Sequence, residues 1–231
     1  MNINKFHYLC RPQVSDTYEV SDTFTSSKLT TFILILILFF FQAGYSQNID
    51  NELITIDSLY NTEQYEIALD KCKSLRKNLQ SKAVWKDYLR VVLKEAYILE
   101  DFDIPKTLQL LKNSLEETKV HFPESNLLVA DVYHKIGVQY FNLMDYENAI
   151  WGLNEAKKIR AKILGEQDLK LWRSYFNMGV VHEYSTNFQK SIISLNKALE
   201  IAQINKDHQK ISVTLQKLGD VQSKLGDFNA A

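Results

Sequence analysis

Apolar positions recur along most of this chain at helical spacing, and one arrangement of them returns several times. Aligned on one another, SLYNTEQYEIALDKCKSL (58–75), DFDIPKTLQLLKNSL (101–115), FNLMDYENAIWGLNEAK (141–157), YSTNFQKSIISLNKAL (184–199) and SKLGDFNAA (223–231) share a register. An aromatic or Ile falls at Tyr65, Ile104, Tyr146, Phe188 and Phe228, and three positions later comes a small residue: Ala68, Thr107, Ala149, Ser191 and Ala231. The small residues are 39, 42, 42 and 40 positions apart, so a unit of about 41 residues repeats. Upstream, the last three units carry YHKIGVQY, YFNMGVVH and LQKLGDVQ, which place an apolar residue and Gly at Ile136-Gly137, Met178-Gly179 and Leu218-Gly219. Each unit therefore predicts two amphipathic helices. The approximate units are 50–85, 86–124, 126–165, 168–207 and an incomplete 209–231.

Glycine inside a helix costs about 1 kcal/mol relative to Ala, so its return at one register predicts a close helix–helix approach. Ala149 and Ser191 supply the small surface opposite, and Tyr146 and Phe188 fill the space between units. Asp145, Asn187 and Asp227 stand where N-caps are needed before the second helices. Pro105 falls in the first turn after Asp103, where its missing N–H costs nothing. Pro123, in HFPESN, punctuates the link between the second and third units. Composition supports an all-α chain. Only seven Gly and three Pro occur in 231 residues, too few turn-formers for an all-β protein.

These residues resemble the tetratricopeptide repeat family. Tyr133, Ile136, Gly137, Tyr140, Tyr146, Ala149, Leu153 and Ala156 match its pattern at nearly every position. Tyr175, Met178, Gly179, Phe188, Ser191, Leu195 and Ala198 match in the next unit, which departs at His182. The first two units are degenerate, with Ile56 and Ala96 near the expected Gly, and the second is one residue short. The resemblance covers 50–231 and implies a right-handed α-solenoid of antiparallel helix pairs, about four and a half repeats long, with a concave face lined by first helices.

Residues 1–46 stand apart. LTTFILILILFFF, from Leu29 to Phe41, is preceded by Lys28 and followed by QAGYSQ, the charged, apolar and small-residue order of a secretory signal. About 13 apolar residues are fewer than the roughly 20 a membrane span needs. Cleavage after Ser46 is expected, leaving the array 47–231, with the membrane met only transiently through the signal. Asp16, Glu19 and Asp22 upstream are unusual for a signal, which suggests a true translation start near Lys28. Cys10 lies in the removed part, so the exported chain carries Cys72 alone and forms no internal disulfide.

Little catalytic chemistry is legible. The histidines after the signal, His121, His134, His182 and His208, lack metal-ligand spacing, and HEYST at His182 lacks the second His of a zinc-hydrolase motif. No phosphate-binding Gly loop or nucleophile elbow is present, so no catalytic residue, metal or cofactor is expected. A net charge of −1 with mixed signs along the helices gives no support for nucleic acid. Trp85, Trp151 and Trp172 read as packing residues. The resemblance implies instead a protein or peptide ligand along the first helices. Transferred by register, the candidate positions are His134, Val138, Phe141 and Asn142 in the third unit, Phe176, Val180, Glu183 and Tyr184 in the fourth, and Gln216, Asp220 and Lys224 in the fifth. Relatives that clamp chaperone tails have Lys and Asn where His134 and Val138 stand, which argues against that ligand.

The expectation is a non-enzymatic, exported interaction scaffold, resembling proteins of Bacteroidetes. Its alternative is the sensory part of a larger protein. Residues 153–201 resemble kinesin-light-chain-like repeats that precede caspase-like CHAT peptidase domains, and similar exported arrays precede histidine kinases. Because Gly226-Asp227 reads as a helix end followed by a new cap, the sequence suggests a fragment that stops within a fifth repeat and leaves Leu215, Leu218 and Phe228 uncovered.

Overall fold

The computed structural model describes residues 31–33, 35, 48–122 and 126–230, with side chains as far as Gly226. The signal, its cleavage point, Cys10, Pro123, Ala231 and the side chain of Phe228 lie outside the described residues, except that 31–33 and 35 are helical. The chain divides into two units, Met1–Asn48 and Ile49–Ala231.

The second unit is built of helices α1 (49–61), α2 (Tyr65–Ser81), α3 (Trp85–Leu99), α4 (Ile104–Thr118), α5 (Leu127–Asn142), α6 (Tyr146–Leu164), α7 (Leu169–Tyr184), α8 (Phe188–Ile204) and α9 (His208–Ala230). No strand occurs among the described residues. From α2 onward each helix packs on the next in sequence, while α3 also meets α5 and α5 meets α7. Odd-numbered helices thus form one layer and even-numbered helices the other, as in an α-solenoid of helix pairs. Ion pairs tie α1 into the array: Lys71 on α2 reaches Glu52 at 2.7 Å, and Lys94 on α3 pairs with Asp57.

The repeat register has a direct physical reading. Tyr65, Ile104, Tyr146 and Phe188 each open a second helix, and Ala68, Thr107, Ala149 and Ser191 are wholly buried one turn in. A Cβ built on Gly137 would lie 2.9 Å from the Ala149 carbonyl oxygen and 2.9 Å from the Leu153 nitrogen. One on Gly152 would meet the Gly137 backbone at 2.8 Å. Two glycines therefore face each other across α5 and α6, and only the first was legible as a packing residue. At Gly179 the obstacle is the Leu195 side chain, at 2.6 Å, and Ser191 Oγ donates to the Gly179 carbonyl at 2.7 Å. Ile56 and Ala96, in the degenerate units, are fully buried without needing the absence of a side chain.

Five corners share a turn that contains no glycine. Glu63, Ala83, Met144, Thr186 and Lys206 hold φ between 55 and 60°. At Met144 the residue's own N–H bonds the Phe141 carbonyl at 2.9 Å, and the next N–H, of Asp145, bonds the Tyr140 carbonyl at 2.9 Å. The other four repeat this pair of bonds, which is the Schellman closure of a helix C-terminus. The corner between α3 and α4, where the alignment is one residue short, is built differently. There the Asp103 N–H bonds the Leu99 carbonyl, and the Asp103 side chain accepts from the Lys106 N–H at 2.9 Å.

Three expectations are corrected. Asp145 caps α6 by accepting from the Asn148 N–H at 3.2 Å, but Asn187 makes no such bond. Its amide turns back to Ser185 Oγ at 3.2 Å, which the left-handed turn at Thr186 brings within reach. Gly226-Asp227 neither ends a helix nor starts one, because α9 runs unbroken to Ala230. A glycine whose Cβ position is open to solvent forces no break by itself, and Gly226 has nothing within 4 Å of that position. Leu218 is buried against Phe188, Leu195 and Val221, whereas Leu215 is 51% exposed.

Candidate functional site

The layer of odd helices brings the inward positions of α5 and α7 side by side. Between them opens a cavity of about 210 Å³ bounded by Gly137, Val138, Phe141 and Asn142 of α5, Leu153 of α6, and Asn177, Val180 and Val181 of α7. Four of the sequence-derived candidates, Val138, Phe141, Asn142 and Val180, meet here. Tyr184, 58% exposed, stands edge-on to Phe141 with ring centroids 5.1 Å apart, and Phe141 also leans on Tyr146 at 6.2 Å. Such edge-to-face pairs hold aromatic rings in fixed orientation. The result is an apolar depression with an aromatic rim and two amides, Asn142 and Asn177, at its edge.

The remaining candidates are placed elsewhere. His134 is buried beneath the groove, with Nε2 3.2 Å from Asn177 Nδ2 and Nδ1 3.5 Å from Arg160 Nη1. Burial, together with the charges of Arg160, Arg173 and Lys135, pushes its pKa down to about 3, so the ring is neutral at physiological pH. It reaches the groove only through Asn177. Phe176 stacks on Trp172 at 4.8 Å and packs against the cluster of Phe188, Leu195, Leu218 and Val221, filling the space between α7, α8 and α9. Glu183 is 4% exposed and bridges to α9 through Lys224 at 2.6 Å and Lys217 at 3.1 Å. Burial alone would raise its carboxyl pKa, but the hydrogen bonds from both lysines hold it below its ordinary value. Glu183 and Lys224 thus satisfy each other. Gln216 and Asp220 lie exposed on α9.

Four lining residues of the groove, Gly137, Leu153, Asn177 and Val181, lie outside the sequence-derived candidates. Asn177 sits beside Phe176 in the chain, but the groove lies between two helices and so draws on a wider arc of α7 than one inward stripe. Leu153 reads as core and forms the floor. No group of three or more His, Cys, Asp or Glu able to hold a metal occurs among the described residues. Cys72 is wholly buried, and burial pushes its thiol up to about 12, far from a reactive thiolate. No helix among the described residues is long and apolar enough to cross a membrane.

Comparison with known proteins finds a family match over part of the chain. Residues 128–204, the two best-matched repeats, match the tetratricopeptide repeat family. No curated protein matches the sequence. Among solved structures, BtubC (BKLC) from P. vanneervenii is similar at a TM-score of 0.58 and 16% identity, over 79% of this chain and 83% of that one. The apo form of RapI gives 0.64 at 19% identity, over 78% of this chain and 52% of RapI. A Rap protein solved in complex with Competence and Sporulation Factor gives 0.61 at 14% identity, over 78% and 54%. The chain spans about half the length of these two. At such identities the likeness is one of fold.

Proposed function

Proceeding from tetratricopeptide repeats stacked as a solenoid, we propose that this protein is an exported scaffold that holds a peptide or protein partner in the groove between α5 and α7. One observation carries the reading: Val138, Phe141, Asn142 and Val180, chosen by repeat register, line one solvent-facing apolar cavity with the exposed ring of Tyr184 at its rim. A cavity of about 210 Å³ has room for one apolar side chain of a ligand, and the two amides at its edge can bond an extended main chain. Buried aromatic contacts of this kind commonly dominate binding energy. The Rap complex with Competence and Sporulation Factor supports ligand capture as something this fold can do.

The test is a peptide library selected on the wild-type array, with selected peptides then measured against Phe141→Ala and Tyr184→Ala. Both residues are at least partly exposed, so the variants should fold, which circular dichroism checks. Affinity is expected to drop about tenfold or more in each. Wild-type affinity in both variants would remove the groove from the reading. Export rests on the sequence alone, through the apolar run 29–41 and the small residues before Gln47. Mass spectrometry of the protein from its native envelope or medium should find a chain that begins at Gln47, and a mature chain that still begins at Met1 overturns export.

A further inference from the structure

A second cavity, of about 570 Å³, opens toward the N-terminal ends of the odd helices, away from the apolar groove. Its charged lining is unbalanced: Arg160, Lys170, Arg173 and Lys210 face it against Asp131 alone. Asp207 occupies part of Lys210, Nζ to Oδ2 at 2.7 Å, and Asp131 takes Arg160 Nη2 at 2.6 Å. The Lys170 ammonium and the Arg173 guanidinium have no acceptor among the described residues. Arg160 itself is 4% exposed, comes from the second-helix layer, and is held by Ser174 Oγ at 2.8 Å from Nη1. Its Nε is buried without any acceptor. Placing a guanidinium this deep is costly unless its charge is met, and one half-exposed aspartate meets it only in part. Beside these cations Trp172 is fixed by an Nε1 bond to Thr214 Oγ1 at 3.0 Å.

We propose that this cavity is a binding site for a multiply charged oxyanion, a phosphate or a cluster of carboxylates, borne on a small molecule whose apolar part lies against Trp172 and Val213. Arg173 and Lys170 supply the direct charge-assisted bonds, and Arg160 provides fixed positive potential from behind. The volume exceeds that of a bare phosphate, so an aryl phosphate or a tricarboxylate should bind more tightly than inorganic phosphate. The site shares no lining residue with the peptide groove.

The test uses the full array carrying Trp85→Phe and Trp151→Phe, so that fluorescence reports Trp172. Inorganic phosphate, phenyl phosphate and citrate are titrated at low and high sodium chloride. Saturable changes are expected for phenyl phosphate or citrate, and which of the two binds more tightly distinguishes phosphate from carboxylate recognition. Arg173→Ala and Lys170→Ala, both exposed positions, should each weaken binding about tenfold, and Tyr184→Ala should leave it unchanged. Because Arg160 and Arg173 both bear on His134, the bound anion should also raise the His134 pKa measured by NMR. Saturation that persists in Arg173→Ala and Lys170→Ala, or no saturable response to any of the three anions, overturns the proposal.

Discussion

Leucine at position 137 is expected to lower the stability of the array by about 3 kcal/mol, at the upper end of overpacking penalties. The reason is what a side chain would meet. Even the first carbon of the new residue would stand 2.9 Å from the Ala149 carbonyl oxygen and 2.9 Å from the Leu153 nitrogen, and these are backbone atoms that cannot rotate away. Helices α5 and α6 must separate, which also opens the contact with Gly152. At position 179 the first obstacles are side-chain atoms of Leu195, and the nearest backbone atom, the Ser191 oxygen, is 3.4 Å away, so Gly179→Ala should cost less than Gly137→Ala. Gly219 holds the same register in α9, yet nothing lies within 4 Å of its Cβ position. Gly219→Ala should therefore raise stability by up to about 1 kcal/mol, the helix-propensity difference alone. The order 137, 179, 219 is checked by urea denaturation followed by circular dichroism. A Gly137→Leu array that melts like wild type would contradict the packing described.

Acid should weaken the fold through His134. Its pKa is near 3 in the folded chain against an ordinary value of 6.5. Above about pH 6.5 the imidazole is neutral in both states, and the favourable contribution of its buried neutral form is complete. As pH falls from about 6.5 toward 3, the unfolded chain takes up a proton that the folded chain refuses, so stability drops by up to about 1.4 kcal/mol per pH unit from this one group. His134→Asn removes the titrating ring while leaving an amide near Arg160 and Asn177. Carboxylates contribute to acid sensitivity in both proteins, so the informative quantity is the difference between wild type and variant. Denaturation midpoints at pH 7.5, 6 and 5 should converge toward those of His134→Asn as pH falls. Parallel profiles would show that the ring titrates normally in the folded state.

The sequence disclosed the elements set by local periodicity. Tyr65, Ile104, Tyr146 and Phe188 could be aligned before any coordinates because a two-helix unit that buries one face must return its apolar and small residues at a fixed period. The same register led to Val138, Phe141, Asn142 and Val180, since equivalent positions on α5 and α7 end up adjacent when units stack. It could not say that Glu183 would be claimed by Lys217 and Lys224, or that His134 would sink beside Arg160. Those outcomes depend on partners 26 to 41 positions away, and nothing in a helix's own pattern announces them. Gly152 escaped for a related reason: its meaning lies in the glycine opposite. The assumed break at Gly226 came from treating glycine as punctuation, although it costs a helix only about 1 kcal/mol where no other force demands a turn.

The non-glycine corners add something about how such an array is specified. Glu63, Ala83, Met144, Thr186 and Lys206 share neither size, charge nor polarity, yet all five adopt nearly the same left-handed φ and close the same two hydrogen bonds. Nothing about their side chains selects that conformation. It goes with the two backbone hydrogen bonds that close the preceding helix, which involve no side-chain atom. What passes from one repeat to the next at these corners is a dihedral angle, while the residue that carries it is free to vary.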